Sequence, residues 1–274
     1  MIVNDNSDIL LTFSWGNFTH GVSGHLFECI DYYLLLKNHF KVKILIPEKI
    51  ENIPELIKDK YNLDKNEIKD IFNNLIEIYK PTLVKTNNIF FVDGSYKNFS
   101  KCNILAKNKI SFACGDFTIL EQNDTHVLLD YRVYDKIPEK SFNYKKKLFL
   151  GKYRKNVKKG SKILIYATEN CRYTDKELPN QLKLTKKDLP YLGLFDEIDS
   201  YFYTPVPRKF DCSSRLIPEC KFYNKKIIFD KDVKKYFYKD KGLFFRYLDT
   251  KLDFESLFLT YNDEIIDILK EIIN

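Results

Sequence analysis

Two stretches of this chain repeat one order of elements, and that order limits the fold more than anything else in it. Residues 8–15 form an apolar run (Ile-Leu-Leu-Thr-Phe-Ser at its centre), followed by a loop holding Gly16, Gly21 and Gly24. Phe27, Ile30, Leu34 and Leu35 then recur at helical spacing, and Lys41-Val-Lys-Ile-Leu-Ile46 reads as a returning strand. Residues 200–229 do the same. Ser200-Tyr-Phe-Tyr-Thr-Pro205 is rich in aromatic and β-branched residues, Leu216 to Phe222 reads as a helix stopped at Asn224, and Lys226-Ile-Ile-Phe229 as the next strand. Strand–helix–strand units of this kind build parallel sheets, whose ligands sit at the carboxyl ends of the strands. The expectation is therefore an α/β chain, with 1–140 and 141–274 as its domains.

Between these units the sequence predicts charged helices over 51–80 that cover the sheet. It predicts strands at Leu83-Val84, Asn88 to Val92, Lys109 to Cys114 and Thr125 to Leu129, with a connecting helix from Phe99 to Ala106. The second half opens with strands at Leu148 to Leu150 and Lys162 to Tyr166. A helix over 186–199 follows, then a short helix at 232–238, a strand at 243–246, and a closing helix from about Asn262 to Ile273.

Composition excludes some classes. Hydrophobic residues are 44% and aromatic residues 15% of the chain, which is a folding composition rather than a disordered one. No apolar run reaches the roughly 18–20 residues a membrane helix needs, and the N-terminus lacks a basic segment with a cleavage site. The six cysteines (29, 102, 114, 171, 212 and 220) show no C-x-x-C spacing, which points to reduced thiols and a cytoplasmic setting rather than a zinc module. The formal charge of +7 is uneven: residues 143–162 hold nine Lys or Arg and no Asp or Glu. Such a run fits an anionic polymer or membrane surface, and fits a solvated linker equally well.

The candidate chemistry lies in the loops. In Asp211-Cys-Ser-Ser-Arg-Leu-Ile-Pro-Glu219 two carboxylates bracket a strand-to-helix crossing. Small residues at a helix entrance let backbone N–H groups face a phosphate, so Ser213 and Ser214 are candidates for that role. Arg215 adds a fixed cation for a diphosphate, and Glu219 is placed to accept from ribose hydroxyls. The plainer reading is an ordinary turn with a capping serine and a solvated Glu219. In the first half Gly16 and Gly21 allow close backbone approach to a ligand, and His20 and His25 are the polar groups beside them. The loop is not G-x-G-x-x-G, so no dinucleotide fingerprint is present. Asp116 follows the apolar strand Lys109-Ile-Ser-Phe-Ala-Cys-Gly and stands where a carboxylate faces a ligand, or caps a turn. Asp196-Glu-Ile-Asp199 reads as a helix surface, and no metal site is expected.

The segment 211–219 resembles the donor-binding motif of GT-B glycosyltransferases, an acidic residue, seven others, then Glu at a helix start. Asp211 stands for the first acid, usually Glu, and Glu219 for the second. Cys220 replaces the usual Ala, Asn224 the usual Gly, and Ile227-Ile228 the Val-Val strand, while the glycine-rich interior is Cys-Ser-Ser-Arg. The strand ending in Asp116 is similar to the one bearing the catalytic Asp in phage DNA β-glucosyltransferases. The resemblance implies two Rossmann-like lobes with a cleft between them, the second reduced, because the chain is short for the class. It implies a nucleoside-diphosphate sugar, UDP-sugar first, as donor substrate and no obligatory metal or other cofactor. Asp116, His20 or His25 would supply catalysis; Gly16, Gly21, Asp211, Ser213, Ser214, Arg215 and Glu219 would hold the donor, with Lys152, Arg154, Arg208 or Lys209 as further cations. A hydroxymethylated base in duplex DNA is the acceptor it suggests, a surface glycan or lipid-linked saccharide the alternative. A non-catalytic, basic nucleic-acid-binding protein is the reading from another class. Another nucleotide-dependent enzyme, using a nicotinamide or S-adenosyl cofactor, is the third.

Overall fold

The structure is a computed structural model of the 274-residue chain. It describes residues 1–13, 24–47, 52–92, 102–113, 123–129, 137–144, 149–167, 178–185, 188, 191–203, 215–229 and 263–274. The chain divides into two compact units that are not continuous in sequence. Residues 1–51, 64–149 and 260–274 make the first, and 52–63 with 150–259 the second.

The first unit is built on a parallel sheet of eight strands: β1 (Ile2–Asn4), β2 (Ile9–Thr12), β3 (Val42–Ile46), β4 (Leu75–Glu77), β5 (Thr82–Phe91), β6 (Cys102–Ala113), β7 (Thr125–Leu129) and β8 (Ser141–Asn143). Their order is β4-β3-β2-β5-β6-β7-β8, and β1 pairs with the amino-terminal part of β5. Taken from β2, the chain steps outward to β3 and β4 and then returns to the other side of β2 as β5. That is the strand order of dinucleotide-binding open sheets. Its topological switch lies between β2 and β5, whose carboxyl ends are Thr12 and Phe91.

β2 is buried at every position, as a central parallel strand covered on both faces should be. Helix α1 (Gly24–Leu36) is buried from Glu28 to Leu36 and holds Tyr32 edge-on to Phe90 of β5, with ring centres 5.1 Å apart. Helix α3 (Lys65–Asn73) starts in a capping box. The Asp64 carboxylate accepts from the Asn66 and Glu67 backbone N–H groups, and the Glu67 carboxylate accepts from that of Asp64. The closing helix, α6 (Asp263–Ile273), belongs to this first unit, and its Ile272 carbonyl accepts from Asn108 Nδ2 at 3.2 Å.

One expectation here is overturned. Of the connecting helix expected over 99–106, residues 102–106 are strand instead, because residues 102–113 form a single long strand paired with β5 from Thr82↔Cys102 to Phe91↔Ser111. Ala, Leu and Lys favour a helix locally, but Cys102, Ile104 and Ala106 pack against the core cluster of Leu10, Leu45, Ile78, Val84, Ile89 and Phe91. Asn103, Leu105 and Lys107 alternate with them on the exposed face. A period of two with a partner strand outweighs helix propensity.

The second unit is a four-stranded parallel sheet of β9 (Lys162–Ala167), β10 (Gln181–Thr185), β11 (Ile198–Tyr203) and β12 (Lys226–Phe229), in the order β10-β9-β11-β12. Its switch point lies between β9 and β11. Helix α5 (Leu216–Phe222) joins β11 to β12; α5 and β12 are bounded as the sequence predicts, while β11 starts two residues earlier than the Ser200 expected. The helix expected over 186–199 is a single turn, α4 (Leu194–Glu197), entered through Gly193 at φ 70°, and Ile198 already begins β11. Helix α2 (Ile53–Lys60) belongs to this unit rather than to the first sheet, although it precedes most of that sheet's strands. Tyr61 bridges antiparallel to Tyr153, the Asn62 N–H donates to the Lys152 carbonyl, and the Arg154 N–H to that of Lys60. Among the described residues no helix is long and apolar enough to cross a membrane.

Candidate functional site

Residues 204–214 connect β11, beside the switch point of the second sheet, to α5. Asp211, Ser213 and Ser214, with Arg208 and Lys209, lie outside the described residues. Arg215 and Glu219 lie within them, Arg215 as the N-cap of α5 and Glu219 one turn further on. Pro218 falls in the first turn, where a missing N–H costs nothing. The helix ends in a Schellman arrangement. The Lys225 N–H donates to the Cys220 carbonyl and that of Asn224 to Lys221, with Asn224 at φ 54° in the place usually taken by glycine. This explains how Asn serves there, since Asn is the residue that best tolerates the left-handed region after Gly.

Glu219 is buried, its side chain 3% exposed, and it is not solvated. Lys60 Nζ from the end of α2 stands 2.6 Å from Glu219 Oε1, and Arg215 Nε stands 3.3 Å from the same oxygen. The Tyr153 hydroxyl donates to it at 3.4 Å and accepts from Arg215 Nη2. Lys60 also lies over the Tyr153 ring, 5.4 Å from its centre, while Tyr61 and Phe222 meet that ring edge-on. Two cations thus meet one carboxylate in a region of low exposure.

A second charged group fixes the same segment. Arg154 Nη2 pairs with Asp196 Oδ2 at 2.7 Å and Asp59 Oδ1 at 3.5 Å, and Asp59 Oδ2 accepts from the Gly193 N–H at 3.0 Å. Burial alone would lower the Arg154 pKa; the Asp196 and Asp59 carboxylates outweigh it and hold it above the usual range. Asp196, expected on a helix surface, is this partner, and burial raising its pKa is outweighed by the Lys158 N–H and Arg154, which hold it below the usual carboxylate range. Arg154 is therefore structural. Within the basic run 143–162, Lys162 is likewise bound to Glu197. Burial pushes the Cys220 thiol well up, with the Glu219 charge adding to it, so Cys220 is no nucleophile.

In the first unit the glycine loop belongs to the segment leaving β2 at the switch point. Gly16, His20 and Gly21 lie outside the described residues, as does Asp116, three residues beyond the end of β6. His25 is in the first turn of α1, its ring 5.6 Å from that of Phe13. Glu28 and Asp31, further along α1, are buried carboxylates that the sequence reading passed over. Their signal was two acids inside an otherwise apolar helix. Lys60 and Tyr153 were also passed over, and no local pattern marks them, because both reach Glu219 only through the fold. Among the described residues no group of three or more His, Cys, Asp or Glu is placed to hold a metal ion.

No protein family, no curated protein and no solved structure matches the chain.

Proposed function

We propose that this protein is a glycosyltransferase of the GT-B type, with its first unit taking the acceptor and its second the nucleoside-diphosphate sugar. The observation that carries the reading is the cluster on α5. Glu219 is a buried carboxylate directly after the loop that leaves the second sheet at its switch point, and it is shared by Arg215 and Lys60. Open parallel sheets take ligands at that position. A buried acid suits ribose hydroxyls, and an arginine guanidinium beside it suits a diphosphate.

In the proposed reaction Asp116, or His20 or His25, accepts the proton of the acceptor hydroxyl. The acceptor oxygen bonds to the anomeric carbon as the bond from that carbon to the diphosphate breaks. The leaving diphosphate takes up the charge, and Arg215 with backbone N–H groups of the 211–214 loop stabilises it there. UDP-sugar is the first donor to try. The acceptor we favour is a hydroxymethylated base in duplex DNA, held through its phosphates by lysines of the 143–162 run.

A thermal-shift panel of UDP, GDP and their sugars tests the donor. Stabilisation by at least one of them, weakened about tenfold or more in affinity by Glu219→Ala, supports the transferase. Stabilisation by oligonucleotide alone turns the reading to a nucleic-acid-binding protein, and stabilisation by nicotinamide or S-adenosyl compounds alone to another enzyme. Asp116→Ala should keep donor binding and stop turnover. DNA binding should weaken steeply with salt; salt-insensitive or undetectable binding moves the acceptor to a glycan.

A further inference from the structure

The contacts of Glu219 are lopsided. Each one it makes with the described residues falls on Oε1: Lys60 Nζ at 2.6 Å, Arg215 Nε at 3.3 Å and the Tyr153 hydroxyl at 3.4 Å. Oε2 of the same carboxylate, on a side chain 3% exposed, accepts from none of them. A carboxylate oxygen on a side chain this little exposed gains strongly from a donor. Oε1 already meets three donors, as many as its lone pairs serve. A ligand hydroxyl therefore meets Oε2.

We infer that Lys60 is a positioning residue of the nucleotide site. It pins Oε1 so that Oε2 is presented to one hydroxyl of the donor's ribose. The inference rests on the transferase reading and goes beyond it in two ways. It makes the excursion 52–63, a piece of the chain's first half, part of the donor site. It also makes ribose recognition one-sided, because a carboxylate held by one oxygen offers the other to a single donor, whereas an untethered carboxylate can take both hydroxyls of a vicinal diol. Lys60 sets this geometry more than Arg215 does. Its contact is the shorter, and Arg215 divides its donors between Glu219 and Tyr153. The Tyr153 ring beneath the ammonium limits where Lys60 can move.

Calorimetric titration with UDP and GDP, and with the 2′-deoxy and 3′-deoxy form of each, tests this on the full chain. The wild-type protein should lose about tenfold in affinity or more for one deoxy form, the cost of one hydrogen bond to a charged acceptor, and little for the other. In Lys60→Met the ratio of ribo to deoxy affinity should fall toward one, with Lys60→Gln, which keeps a donor without its charge, in between. A purely structural role would weaken all nucleotides alike and leave the ratio where it was. A Lys60→Met protein that melts cooperatively and keeps the wild-type ratio overturns the role of Lys60. Equal losses for both deoxy forms in the wild type overturn one-sided recognition, and that arm needs no variant to fold. If the wild type binds none of the nucleotides, the transferase reading falls and this inference falls with it.

Discussion

Gly160 shows how a single hydrogen can decide a local structure. A Cβ built there would lie 2.2 Å from the Glu197 carbonyl oxygen and 2.4 Å from that of Ile198, both backbone atoms that cannot swing aside. The approach is used, because the neighbouring Ser161 N–H donates to Glu197 O at 3.0 Å where β11 begins. Gly160→Ala should therefore cost about 1–3 kcal/mol, the range for overpacking, read as a lower urea midpoint. An unchanged midpoint would mean that the strand start can shift. His126 on β7 sets a pH dependence. Burial, and then the charge of Lys140, hold its pKa below the ordinary histidine value, so the folded chain prefers the neutral ring. As pH falls through the ordinary histidine range, the unfolded chain takes up the proton first and stability drops. The loss levels off only below the depressed folded pKa. Urea midpoints of the wild type should fall between pH 7.5 and 5.5 by more than those of His126→Phe, whose side chain suits the Phe142 ring 6.3 Å away. Equal falls would remove His126 as the cause. Residues of these two kinds differ in how plainly they read. Asn224 was visible as a helix stop because its role is local, whereas nothing around Gly160 announces the carbonyl that faces it.

Elements were legible where local and tertiary forces agree. Helix α5 and strand β12 have the predicted bounds because helix, left-handed stop and β-branched run follow one another with no competing signal. The residues 102–106 failed because their helix formers were outweighed by pairing with β5, a partner that one strand's sequence does not show. The helix over 186–199 failed for a related reason. Gly193 at φ 70° limits it to one turn, and Ile198 is drawn into the sheet beside β9. Helix α3 makes the opposite case, since its capping box lies within four residues and depends on nothing distant. Asp64→Ala leaves two backbone N–H groups of the first turn without their acceptor. It should cost about 1 kcal/mol, a drop of a few degrees in Tm for a protein of this size. Asp64→Ser, which caps as well, should recover most of it, and a full loss in Asp64→Ser would point to the charge rather than the cap. On the candidate site, the acid at 219 and the cation at 215 were readable from the motif. Their partners Lys60 and Tyr153 were not, because a contact between distant segments leaves no spacing to read.

At the scale of the whole molecule the two parallel sheets could be foreseen from their strand–helix–strand units, but the exchange of segments could not. Residues 52–63 interrupt the first unit to join the second, and they are held there by more than proximity. They supply Lys60 to Glu219, Asp59 to Arg154 and to the Gly193 N–H, and a backbone bridge from Tyr61 to Tyr153. A fragment of residues 150–259 alone would leave Glu219 without its nearest cation and Tyr153 without the Tyr61 ring 5.1 Å away. Arg215 still meets Glu219, so loss of the Lys60 contact costs about 1.5–3 kcal/mol, the range for a hydrogen bond to a charged group, and with the Asp59 and Tyr61 contacts also gone this is a large part of the stability of a unit this small. That fragment should show no cooperative melting. The bridge is antiparallel and the Asn62 N–H donates to the Lys152 carbonyl, so a short Gly-Ser linker from Leu63 to Leu150 would close a hairpin in place of residues 64–149. The linked chain should melt cooperatively, because loop closure over a few residues costs little against the contacts it restores. Lys60→Met within it should lower that melting point. If 150–259 melts cooperatively by itself, the excursion is not needed to hold the sheet, and any role left for it lies in the ligand site alone.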